Sequence, residues 1–84
     1  MAEVRISRQP RFGGGDSAAL TAAFDALCDA WNDAITTSEV LAAIRRSGHS
    51  FERIGPRTYN LVLFSYKINF TIGISNPDLI IHVG

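Results

Sequence analysis

The side chains able to act as nucleophile, proton carrier or soft metal ligand are few: one cysteine, Cys28, and two histidines, His49 and His82. A reactive thiol needs solvent access and positive charge nearby to hold it as thiolate. Cys28 instead stands beside a run of apolar positions and between Asp25 and Asp29, which raise a thiol pKa. A buried, inert thiol is expected. His49 follows a glycine, where it can bond the last carbonyls of a helix, and His82 lies in a late apolar stretch. Neither has zinc-type spacing, so no catalytic residue, metal or cofactor is expected. Asp25, Asp29 and Asp33 recur every four residues and fall on one side of a helix. A carboxylate pair does acid–base chemistry only when one member is buried with a raised pKa. These three read as a solvated face or, in the sharper reading, as an acidic stripe that docks on a basic partner in place of phosphates.

Charge narrows the classes further. Eight acidic and eight basic residues give a formal net charge of zero. A general nucleic-acid binder shows a basic excess, because phosphate contacts supply most of its affinity. The charges are unevenly placed, however. Arg5, Arg8 and Arg11 precede an acidic middle of Asp16, Asp25, Asp29 and Asp33, and Arg45, Arg46, Arg53, Arg57 and Lys67 follow it. Arg45, Arg53, Arg57 and Lys67 are interleaved with Phe51, Tyr59, Phe64, Tyr66 and Phe70. Bases and rings on a sheet can bind nucleic acid, although so small a domain needs most of those rings for its core. Gly13, Gly14 and Gly15 precede a helix start, but the spacing and lysine of a phosphate loop are missing and Asp16 would repel an anion there.

These residues must be held by few elements, since 84 residues make one domain. Residues 3–7 alternate polar and apolar, the period of a half-buried strand, and a short one suits a sheet edge. Pro10 and the three glycines make residues 8–15 a flexible Gly-rich connection. Asp16 or Ser17 can then cap a helix whose apolar stripe is Leu20, Phe24, Leu27, Trp31 and Ile35. Thr36 and Glu39 have capping-box spacing, and Ile35 and Val40 that of a hydrophobic staple. The first helix therefore ends near Ala34, and a second runs over residues 37–47 with Val40, Leu41 and Ile44 inward. Arg45 and Arg46 suit its last turn, and Gly48 its left-handed stop.

The remainder is strand-like. Residues 51–54 are a short candidate, and Gly55 and Pro56 mark a turn. Residues 57–75 would span about 60 Å if extended, too long for one strand in a small domain. A turn at Tyr66 and Lys67 would set Leu63 against Phe70, Leu61 against Ile72 and Tyr59 against Ile74, all on one face. Val62 and Phe64 would then form an apolar patch on the second face. Asn76, Pro77 and Asp78 make another turn, and residues 79–83 a central or covered strand. The fold class is α+β: two consecutive helices on one face of a mainly antiparallel sheet of four to five strands, in the order β-α-α-β-β-β-β.

Residues 41–64, with Ser47, Gly48, His49, Ser50, Phe51, Glu52, Arg53, Ile54 and Gly55, resemble the helix-glycine-strand passage of the small HicA-type messenger-RNA interferase toxins. That family continues with Gly-Ser-His, whose histidine is catalytic. Here Gly55, Pro56, Arg57, Thr58 and Tyr59 follow, with no histidine, so the resemblance implies no activity.

The expected function is a small non-enzymatic protein–protein interaction module. Its style is that of a phage or mobile-element inhibitor of a host defence complex, resembling anti-CRISPR proteins in size and style only. The contact residues are Asp25, Asp29 and Asp33, or Val62 and Phe64. One rival is a nucleic-acid-binding module using Arg45, Arg53, Arg57 and Lys67. Another is a toxin-like ribonuclease with a degenerate site around His49 or His82. A homodimer through a sheet edge or the apolar patch is compatible with each. One cysteine permits no intrachain disulfide, no run approaches a membrane span, and the start lacks a signal peptide's apolar core. The expected location is cytoplasmic, in the host if phage-encoded, with no membrane partner.

Overall fold

The computed structural model describes residues 1–75 and 77–84. The elements follow in the expected order: β1 (Ala2–Ile6), α1 (Ser17–Asn32), α2 (Thr37–Arg46), β2 (Ser50–Arg53), β3 (Thr58–Leu63), β4 (Tyr66–Ser75) and β5 (Asp78–Val83). The five strands form one mixed sheet in the order β1-β5-β4-β3-β2. β1 lies parallel to β5, with Val4 against Ile81, and the other pairings are antiparallel. The chain starts at one edge of the sheet, crosses a face as two helices, and returns strand by strand from the far edge.

One face carries the core. α1 contributes Leu20, Phe24, Leu27 and Trp31, and α2 contributes Val40, Ala43 and Ile44, all buried. They meet Tyr59, Leu61 and Leu63 of β3, Ile68, Phe70 and Ile72 of β4, and Leu79, Ile81 and Val83 of β5. A run of rings crosses this layer. Trp31 packs on Phe70 at 5.0 Å between centroids, and Phe70 stacks on its cross-strand partner Tyr59 at 5.4 Å. Phe51 meets the edge of Tyr59 at 6.0 Å, and the Arg45 guanidinium lies 5.1 Å over Phe51. Trp31 Nε1 donates to the Val40 carbonyl at 3.0 Å, which satisfies a buried donor and ties α1 to α2.

The helix ends follow from local chemistry. Thr36 Oγ1 accepts from the Glu39 N–H at 3.2 Å, and Glu39 Oε2 accepts from the Ile35 N–H at 2.9 Å. The reciprocal cap thus forms with its second arm one residue earlier than the usual box. At the other end, Gly48 at φ 81° lets its N–H reach the Arg45 carbonyl and the His49 N–H reach Ile44, the paired bonds of a Schellman stop.

Three details differ from the sequence expectation. Ile35 is 65% exposed, so neither the stripe nor the staple extends to it. α1 stops at Asn32, and the helical repeat that would have carried Ile35 inward stops with it. Asp16 is the N-cap of α1, yet its side chain makes no cap bond. The β3–β4 turn lies at Phe64 and Ser65 rather than Tyr66 and Lys67, so that Leu63 faces Tyr66, Leu61 faces Ile68 and Tyr59 faces Phe70. The partner of each β3 residue moves by four positions. An even shift preserves the face of every side chain, and Tyr59, Leu61, Leu63, Phe70 and Ile72 are buried as expected, while Ile74 is exposed. The earlier turn lengthens β4, whose far half pairs with β5, with Phe70 against Val83 and Ile74 against Leu79. Asn76, the first residue of the other expected turn, lies outside the described residues. β5 is flanked by β1 and β4, as expected of a central strand, but His82 stands exposed on its second face.

Candidate interaction surface at the hairpin tip

Phe64 takes the first central position of the β3–β4 turn, and among the described residues it is the one non-glycine with positive φ, 57°. The primed turns that match strand twist need such a φ, and glycine or asparagine meets it without strain. A bulky L-residue there costs about 1–2 kcal/mol. The ring is also 77% exposed, the highest exposure among the large apolar side chains described. Residues held in strained conformations cluster at clamps and binding sites.

The surroundings of Phe64 are partly apolar. Its ring meets the edge of His49 at 6.2 Å. Val62 pairs with Ser50 at the end of β2, and Gly48, His49, Ser50, Val62 and Phe64 line a shallow depression of about 340 Å³. The structure therefore brings Val62 and Phe64 together, but as a tip and its flank. Val62 alone lies on the open sheet face; Phe64 caps the hairpin. Sequence reasoning passed over His49 as a neighbour of Phe64, since only the observed register brings the end of the Schellman stop to the hairpin tip.

Asp25, Asp29 and Asp33 are all exposed. Asp25 and Asp29 lie on α1, and Asp33 is its C-cap. Cys28 between them is half-buried, and its thiol pKa is pushed up to about 11 by burial first, then by the Asp25 and Asp29 charges. The thiol is accordingly protonated at neutral pH and a poor nucleophile. His49 and His82 do not converge. His49 adjoins β2 and His82 lies in β5, three strand positions away, a lateral separation of about 14 Å.

The four cations of the nucleic-acid reading are dispersed. Arg45 lies over Phe51. Arg53 donates from Nε to the Gly55 carbonyl at 3.1 Å and from Nη2 to Pro56 at 3.4 Å. Lys67 pairs with Glu52 at 3.0 Å, and Arg57 is exposed in the β2–β3 turn. Tyr59 and Phe70 are buried, Phe51 and Tyr66 half-buried, and only Phe64 of the five rings is exposed. Among the described residues, no helix is long and apolar enough to cross a membrane. The chain matches no protein-family model, no curated protein and no solved structure.

Proposed function

We propose that this chain is a small non-enzymatic protein–protein interaction module that meets its partner through the hairpin tip. The observation that carries the reading is Phe64. A large ring, 77% exposed, is held on a backbone conformation that glycine would adopt at less cost, and its aromatic contact within the fold is the edge of His49. Val62 and His49 extend the contact, while the exposed Asp25 and Asp29 of α1 and Asp33 at its C-cap offer a separate acidic surface to a basic partner. Aromatic anchors of this kind dominate interface energetics, whereas rim charges chiefly steer the encounter. The finer reading is an inhibitor, carried by a phage or mobile element, that blocks a host defence complex in the host cytoplasm. Its support is the size and neutral charge of the chain.

The test is affinity capture from an extract of the native host with three baits: the unaltered chain, Phe64→Gly, and Asp25, Asp29 and Asp33 all changed to lysine. Loss of one specific partner with Phe64→Gly supports the tip as the contact. Equal capture by the charge-reversed chain removes α1 from the contact, and subunits of a defence complex among the lost proteins support the finer reading.

A further inference from the structure

Arg8 and Arg11 have no part in the contact at Phe64, and neither joins the ion pairs among the described residues. Those pairs link the Met1 amino group to Asp78, Arg5 to Glu3 and Lys67 to Glu52. Both arginines line a cleft of about 350 Å³ between residues 8–12 and the first half of β4, together with Gln9, Tyr66, Lys67 and Asn69. No acidic side chain among the described residues lines it.

The arm that carries the arginines is fastened on both sides. Ser7 N–H donates to the Val83 carbonyl at 2.9 Å. Beyond the arginines, the Tyr66 hydroxyl accepts from the Gly13 N–H at 2.9 Å and donates to the Gly13 carbonyl at 3.2 Å. The Phe12 ring meets Tyr66 edge-on at 5.1 Å. Residues 8–11 thus bridge two anchors and form one wall of the cleft, with Lys67 and Asn69 opposite. The Lys67–Glu52 pair is exposed on both sides, and such a pair is weak enough for the ammonium to turn to a better anion.

We propose that this cleft binds the phosphate group of a nucleotide or of a single nucleic-acid strand. Two guanidinium forks suit the geometry of phosphate oxygens, an ammonium adds a point charge, and the Gln9 amide adds a neutral donor. Asn69 also lines the cleft, but its Nδ2 already donates to Asn60 Oδ1 at 3.4 Å. The volume falls at the small end of ligand sites, about 300–1,000 Å³, which suits a phosphate with part of its ester. Tyr66 is tied to Gly13 through its hydroxyl, so binding rests on charge and not on a free stacking ring. The proposal goes beyond the partner contact at Phe64 and stands without it.

The test titrates inorganic phosphate, AMP and a short oligouridylate separately into isotope-labelled protein at low salt, followed by amide chemical shifts. Saturable shifts at Arg8, Gln9, Arg11, Lys67 and Asn69 are expected, and they weaken as salt rises. The double variant Arg8→Gln with Arg11→Gln removes two charge-assisted contacts, each on the order of tenfold, and so weakens binding by more than about tenfold. Arg46→Gln, an exposed cation outside the cleft, leaves it unchanged. Saturation by phosphate or AMP identifies a free phosphate ligand, and saturation by the oligouridylate alone identifies a strand; either supports the site. Both changed arginines are exposed, so an unaltered unfolding midpoint confirms that the double variant is folded. Absence of shifts with all three ligands at millimolar concentration, or equal binding by the double variant, overturns it.

Discussion

Replacing Phe64 by glycine removes the left-handed penalty and the exposed ring together. The penalty is about 1–2 kcal/mol, and the added freedom of glycine in the unfolded chain returns about 0.5–1 kcal/mol of it. Urea denaturation should therefore show Phe64→Gly to be equal to the unaltered chain or up to about 1.5 kcal/mol more stable. A clear loss of stability would mean that the ring serves the fold. At Cys28 the raised pKa makes two statements. The native thiol should react slowly with a thiol reagent at neutral pH and quickly once denatured. The pKa is raised from 9.0 to about 11 in the fold, so the native state holds the proton more tightly than the unfolded one. The resulting stability is full below about pH 9 and is lost as pH rises toward 11. A Cys28→Ser chain, compared by unfolding across that window, should lack this increment of alkaline loss. The state of Cys28 was legible from its neighbours, because a helix fixes which residues share its side. The strain at Phe64 was not, since phenylalanine carries no signal for positive φ.

The two helices test how much of their ends is local. Thr36→Ala removes the acceptor for the Glu39 N–H and should cost about 1 kcal/mol in denaturant unfolding. Trp31→Phe removes the donor to the Val40 carbonyl and part of a buried ring. It should cost about 2–3 kcal/mol by the same measurement, a large share of the stability of so small a domain. The cap and the Gly48 stop were legible because capping is decided within four or five residues. The staple was not legible, because Ile35 has the right type and spacing yet stands 65% exposed, and type and spacing alone do not fix where a residue between two helices points. The hairpin shows the same limit in strands. Alternation fixes which side chains face the helices, and that reading held for Tyr59, Leu61, Leu63, Phe70 and Ile72. Alternation cannot fix the turn, because any even shift of register satisfies it equally.

Across the whole molecule, one side of the sheet is closed by helices and the other is open. The open side presents Asn60, Val62, Lys67, Asn69, Thr71, Ile80 and His82, none of them fully buried. The element order and the single helical layer were legible, since strand-like and helix-like periodicities separate cleanly along the chain. The parallel pairing of β1 with β5 was not, because it joins residues at opposite ends of the sequence, such as Ala2 and Leu79. Neither was the cleft of Arg8 and Arg11, whose arm is held by distant partners, Ser7 on Val83 and Gly13 on Tyr66. Both outer strands, β1 and β2, leave a free edge, and β2 is only four residues long with Glu52 and Arg53 in it, features that discourage edge pairing.

The claim that the hairpin tip is the working surface is tested most directly by partner capture with the unaltered chain and with Phe64→Gly at equal concentration. The account predicts a partner held by the first and lost by the second, while the variant stays folded and at least as stable. Identical partners retained by both chains would contradict it.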